Sequence, residues 1–157
     1  MLGYFDNPEA TNDTIDGEGW LRTGDLCVMD DRGYCRITGR LKDLIIRGGE
    51  NIYPREIEEV LYAHPAIAEA AVVGVRDEYW GEEVGAVITL RSGQDVEEAA
   101  LMEHLGEKLA RHKVPRHWFA VPEIPSTASG KLQKFKLVEL IEAGELDGHR
   151  LVVAGDQ

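Results

Sequence analysis

Apolar positions recur along this chain with helical, alternating and continuous spacing, and each spacing predicts a different element. Ile57, Val60 and Leu61 stand at i, i+3 and i+4, after Pro54 at a first helical position and Glu56 in the first turn, so they predict a helix that Pro65 stops. Residues 66–75 form a mostly apolar run of strand length, which reads as a buried strand. In a second strand, Val84, Ala86, Ile88 and Leu90 alternate with Gly85, Val87 and Thr89. Leu101, Leu105 and Leu109 predict a helix begun by a capping box, Asp95 with Glu98, and ended at Val114-Pro115. Trp118-Phe-Ala-Val is a short strand. Residues 134–143 predict a last helix with Phe135, Val138 and Ile141 on its apolar face and Gly144 beyond its end.

Upstream, Asp43-Leu-Ile-Ile-Arg and Asn51-Ile-Tyr flank Gly48-Gly49 as strand, turn and strand. Residues 25–38 read as a hairpin around Asp30-Asp-Arg-Gly33, with a break at Gly39-Arg40. The first two dozen residues are acidic and turn-rich, with no apolar period. From residue 43 the order is β-β-α-β-β-α-β-α, which predicts a small α+β domain after a hairpin of a different domain. The chain thus divides into residues 1–40, a junction at 41–43, the α+β domain at 44–145 and a loose tail at 146–157. Met1-Leu-Gly-Tyr has the character of mid-protein sequence, so the chain is expected to be a piece of a longer one.

Composition narrows the function. A 157-residue chain with 43% hydrophobic and 29% charged residues is globular in character, and no apolar run approaches the ~18 residues that span a bilayer. Without a signal-peptide pattern at the N-terminus, a cytoplasmic location is expected. The 29 acidic residues outnumber 17 basic ones, giving a net charge of -12, which argues against a duplex nucleic-acid binder. One small phosphate ligand needs only two or three placed cations, and Lys131, Lys134 and Lys136 form a local basic patch. Cys27 and Cys35 fall on the two arms of the hairpin. They are expected to be buried thiols in a reducing compartment, with a hairpin disulfide as the alternative, and no metal site is expected around them.

Three loops carry candidate chemistry. In Gly19-Trp-Leu-Arg-Thr-Gly-Asp25, an aspartate entering a strand can accept two hydrogen bonds from vicinal hydroxyls such as those of a ribose; a simple turn aspartate is the alternative. In the segment from Gly39 to Ile52, Gly39, Gly48 and Gly49 permit backbone angles other residues resist, and Arg40 and Lys42 sit at the domain junction. The third loop is Pro125-Ser-Thr-Ala-Ser-Gly-Lys131. A lysine is a compact charge on a flexible stem, suited to following an anion through a reaction, although a solvated surface lysine would look the same in isolation. The loop is not a P-loop: Pro125 stands where its first glycine would be, and Leu132 replaces the Ser/Thr that would hold magnesium.

Together, Thr23-Gly-Asp25, Gly39-Arg-Leu-Lys-Asp43 with Gly48-Gly-Glu-Asn-Ile-Tyr-Pro-Arg-Glu-Ile-Glu58, Tyr79-Trp-Gly-Glu-Glu83 and Pro125-Ser-Thr-Ala-Ser-Gly-Lys131 resemble the adenylate-forming enzymes over about residues 3–141. Ile46-Arg-Gly-Gly-Glu-Asn-Ile-Tyr-Pro54 with Gly130-Lys-Leu-Gln-Lys-Phe-Lys136 is most similar to fatty-acyl-CoA ligases. The resemblance implies a carboxylic acid, ATP with magnesium, and CoA as reactants. It implies that 1–40 is the end of a large AMP-binding domain, 41–43 a hinge and 44–145 a mobile C-terminal domain, with ribose binding by Asp25, ribose and phosphate contacts by Arg40, a hinge at Lys42, and catalysis of adenylation by Lys131. It places Gly48 and Gly49 along a pantetheine tunnel, with Trp80 either on that face or packed in a core. The glycine-rich phosphate loop, adenine segments and acyl pocket of such enzymes are absent from these residues, so no tight ATP binding or turnover is expected of this chain alone; its partner would be the large N-terminal domain. Acetylation of Lys131 would remove its charge, which makes an acetyltransferase and a deacetylase expected partners. Two alternatives remain: a carrier-protein arm or oxygen in place of CoA, and a non-catalytic interaction module, with Arg47-Gly-Gly-Glu50 as a KH-type RNA clamp.

Overall fold

A computed structural model describes residues 1–146. They divide into two units, Met1–Lys42 and the residues from Asp43 onward. In the first unit, α1 (Pro8–Thr14) is followed by the antiparallel strands β1 (Asp25–Met29) and β2 (Cys35–Arg40). The apolar pattern does not predict α1. Its signal is local: the Asn7 side chain accepts a hydrogen bond from the Ala10 N–H at 3.0 Å, Pro8 occupies the first turn, and Glu9 follows it. β2 runs through Gly39 and Arg40, where a break is expected, because pairing with Leu26 and Asp25 continues to the end of the hairpin.

No residue of the first unit is buried, and this corrects the expectation for the cysteines. Cys27 and Cys35 are both exposed and free, since the hairpin has no second layer within its own unit. The two thiols are neighbours: a hydrogen bond with Cys27 holds the Cys35 thiol above the ordinary cysteine range.

After a 3₁₀ turn at Leu41–Asp43, the second unit runs β3 (Ile45–Arg47), β4 (Glu50–Ile52), α2 (Pro54–Tyr62), β5 (Ile67–Asp77), β6 (Gly81–Leu90), α3 (Glu98–Gly106), β7 (His117–Ala120) and α4 (Lys134–Glu142). This is the expected α+β order. Five strands form one sheet in the order β4-β3-β6-β5, with β7 parallel to β6. β5 and β6 are apolar on both faces because both faces are covered. Ala70, Val72, Val84, Ala86 and Ile88 face a core shared with Ile57 and Leu61 of α2 and Leu101 and Leu105 of α3. Ala71, Val73 and Val87 face a second core with Phe119, Ile124 and Leu137.

Two helices depart from their predicted form. α3 begins at Glu98 with no side-chain cap, so the Asp95 capping box does not form. It ends at Gly106, well short of Val114; Lys108 and Leu109 both donate backbone bonds to the Leu105 carbonyl, and the chain turns before a 3₁₀ segment at Arg111–Lys113. In α4 the buried residue is Leu137, whereas Phe135 is 57% exposed. Two residues apart on a helix is about 200°, so the two cannot share a face; Val138 and Ile141 lie on the Leu137 side. Leu146, assigned to a loose tail, packs against this second core, and residues 147–157 of that tail lie outside the described residues.

Candidate functional site

The hairpin register of the first unit places Asp25 directly opposite Arg40. The guanidinium Nε lies 3.3 Å from the Asp25 carboxylate, and both side chains remain partly exposed. An ion pair in water is worth little, so either group can exchange its partner for a ligand at small cost. Thr23 Oγ1 accepts the Asp25 N–H at 3.1 Å, and the Leu41 N–H donates to the Gly24 carbonyl at 2.8 Å, tying the two ends of the hairpin together. Beside this pair is a hollow of about 460 Å³ lined by Thr23, Gly24, Arg40, Leu41 and Lys42.

In the second unit, Gly48 and Gly49 form the two-residue turn between β3 and β4, with φ of +56° and +87°. Positive φ at both central positions is the turn geometry that matches strand twist, and glycine adopts it without a Cβ penalty. Gly48 has a second constraint. Its N–H donates to the Trp80 carbonyl at 2.8 Å, and a Cβ there would lie 2.6 Å from Trp80 Cε3. Trp80 is 38% exposed, so it is not a core residue. The Arg47 guanidinium sits 4.3 Å from its ring centroid, and Tyr79 meets it edge to face.

Arg47 in turn donates to Glu83 Oε1 at 2.6 Å, with only 11% and 6% of the two side chains exposed. Burial alone would raise the Glu83 carboxyl, but the hydrogen bonds from Arg47 and the Val84 N–H and the nearby Arg47 and Arg116 charges outweigh it, leaving its pKa lowered. Asp77 closes the turn by accepting the Trp80 and Tyr79 N–H groups, and these bonds lower its pKa. Arg47, Glu83 and Asp77 thus complete a cluster around Trp80. Motif reading gave a role on this face to Trp80 and the glycines only; Arg47 and Glu83 stood within the quoted motifs without one. A paired charge inside an apolar strand, Glu83, was the available signal for the others.

Lys131 stands on a separate loop of this unit. Ser126 bridges to Leu132; the Gly130 N–H donates to the Thr127 carbonyl at 2.8 Å, the Lys131 N–H to Thr127 Oγ1 at 3.1 Å, and the Thr127 N–H to the Lys131 carbonyl at 2.8 Å. Gly130 has φ +77°, which permits the tight turn. The Ser/Thr/Gly composition therefore builds a fixed backbone, and from it Lys131 projects exposed, with no ion-pair partner among the described residues. The expected basic patch is smaller than its sequence, since Lys134 is committed to Glu58 at 2.6 Å.

The family model of the AMP-binding enzyme C-terminal domain matches residues 56–131. Over 139 residues, 88% of this chain and 25% of the relative, the chain is 56% identical to the putative acyl-CoA synthetase YngI of Bacillus subtilis. It is 48% identical to the mitochondrial medium-chain acyl-CoA ligase ACSF2 of Rattus norvegicus, over 90% of this chain and 23% of that one. Among solved structures, o-succinylbenzoate CoA synthetase (MenE) from Bacillus subtilis, in complex with the acyl-adenylate intermediate OSB-AMP, superposes with a TM-score of 0.82 at 41% identity, covering 87% of this chain and 28% of that one.

The chain carries the C-terminal domain of the AMP-binding enzymes, matched over residues 56–131.

It spans about a quarter of the length of the curated relatives it matches. The matched span contains Asp77, Trp80 and Glu83 of the cluster and ends on Lys131, while Arg47 and the glycine pair precede it. Gly48-Gly49, which the KH-type reading makes an RNA clamp, is a two-residue hairpin turn between paired strands.

Proposed function

We propose that this chain is the C-terminal part of an ATP-dependent acyl-CoA ligase. In the first half-reaction a carboxylate oxygen attacks the α-phosphorus of magnesium-bound ATP, forming acyl-adenylate and releasing pyrophosphate. In the second, the CoA thiol attacks the acyl carbon and AMP leaves. The observation that carries this reading is Lys131, a cation with no ion-pair partner among the described residues, on a loop whose backbone is held by its own hydrogen bonds. An anionic nucleophile approaching an anionic phosphate needs positive charge that meets it in the transition state, and a preplaced cation supplies it without reorganisation.

Asp25 and Arg40 bind the ribose and phosphate in this reading, with the hollow beside them receiving part of the nucleotide. Lys42 is the hinge about which the second unit turns between half-reactions. Gly48 and Gly49 line the pantetheine path in the thioester step, beside Trp80. The acid is a fatty acid; the medium-chain acyl-CoA ligase among the relatives supports this choice. The chain by itself is inactive, because its partner is the large domain of the same enzyme. Acetylation of Lys131 abolishes its charge and with it adenylation.

The test uses the intact enzyme. Lys131→Ala lowers carboxylate-dependent ATP–pyrophosphate exchange roughly 10²–10³-fold, while conversion of supplied acyl-adenylate to thioester is retained. Equal loss of both half-reactions would remove Lys131 from the adenylation step. A carrier-protein acceptor would show itself as thioester formation on a phosphopantetheinyl protein and none on free CoA.

A further inference from the structure

Lys134, the first residue of α4, lies three residues beyond Lys131, and its position is electrostatically unfavourable. A helix N-terminus carries partial positive charge, which disfavours a cation there; α4 has no acidic residue in its first turn and no side-chain cap. Compensation comes from outside the helix. Lys134 Nζ lies 2.6 Å from Glu58 Oε1, with 20% and 15% of the two side chains exposed. Glu58 belongs to α2, which packs on the opposite core from α4. Its carboxylate also accepts the Val72 N–H at 2.8 Å. β5 is an edge strand, so Glu58 caps an edge N–H and reaches around that edge to the helix on the other face.

Between Ile124 and Leu137 no residue is buried. The loop carrying Lys131 is therefore suspended between two core anchors, with half-buried Leu132 packed against the core and this ion pair placed between them. We propose that Glu58 is a positioning residue for adenylation, acting through Lys134 to hold the loop that presents Lys131. The inference rests on the reading of Lys131 given above. It adds to that reading what fixes the lysine's place. Rate is sensitive to small displacements of a charged group, since about 1 Å of misplacement can cost on the order of 10²-fold.

Glu58→Gln removes the charge and keeps an acceptor for the Val72 N–H. In the intact enzyme it lowers kcat of carboxylate-dependent ATP–pyrophosphate exchange roughly tenfold, with KM for ATP and the thioester step from supplied acyl-adenylate within about twofold of wild type. Lys134→Met gives the same loss, Lys134→Arg retains the rate, and the double variant is no slower than either single one. Independently of activity, amide hydrogen exchange across residues 127–133 of this chain speeds up in Glu58→Gln and Lys134→Met. Lys131→Ala is the control for the underlying reading. If it leaves exchange intact, that reading fails, while the amide protection still reports on the anchor. If it abolishes exchange while Glu58→Gln and Lys134→Met keep wild-type rates and protection, the positioning role is overturned. Equal loss of both half-reactions in Glu58→Gln overturns it as well.

Discussion

Gly48 and Gly49 are adjacent, both at positive φ, yet their substitutions are not equivalent. An alanine Cβ at Gly49 enters open space, so Gly49→Ala carries only the left-handed backbone penalty, about 1 kcal/mol. At Gly48 the same Cβ runs into the Trp80 ring as well, and the cost rises to roughly 2–4 kcal/mol. Urea unfolding of the two variants at neutral pH checks the difference, and a change in tryptophan fluorescence should accompany Gly48→Ala alone. The glycine pair was legible in the sequence as a turn. The reason the first glycine cannot bear a side chain was not, because Trp80 arrives from the far end of a different hairpin. Asp25 and Arg40 were legible as separate motif residues, and only the strand register made them partners.

Elements are joined at the Trp80 cluster by one buried ion pair, Arg47 of β3 with Glu83 of β6. Breaking it leaves an unpaired buried charge, so Glu83→Gln should destabilise the domain by about 3–5 kcal/mol at neutral pH. The sign of its pH dependence follows from the lowered Glu83 pKa. The pair contributes fully above the unfolded carboxyl value and is lost as pH falls through the lower folded one. Wild type and Glu83→Gln should therefore converge in stability on acidification, in chemical unfolding followed from pH 7 downward; a difference constant with pH would refute the pairing. Element type was readable wherever periodicity was strong, as in α2, β5 and β6. It failed where local rules competed with packing. α3 begins without its expected cap, and α4 turns Leu137 inward in place of Phe135, because a short amphipathic helix has more than one apolar stripe and the core selects between them.

At the scale of the molecule, the unit boundary falls between Lys42 and Asp43, within a 3₁₀ turn. Under the proposed two-step reaction this is where the backbone must change between half-reactions. Lys42→Pro locks φ at that residue and restricts Leu41 before it. In the intact enzyme it should slow thioester formation from supplied acyl-adenylate at least about tenfold while sparing pyrophosphate exchange. Unchanged thioester formation would exclude Lys42 as the pivot. The sequence by itself determined the element order of the second unit, the turn at Gly48-Gly49 and the loop that carries Lys131, since periodicity, turn chemistry and motif spacing are local properties. Tertiary structure alone decided that Arg47 pairs with Glu83, that Trp80 sits over Gly48, and that Glu58 reaches Lys134 around the edge of β5. Those contacts join residues distant in the chain, and their partners are chosen by sheet register and by which faces the two cores bury.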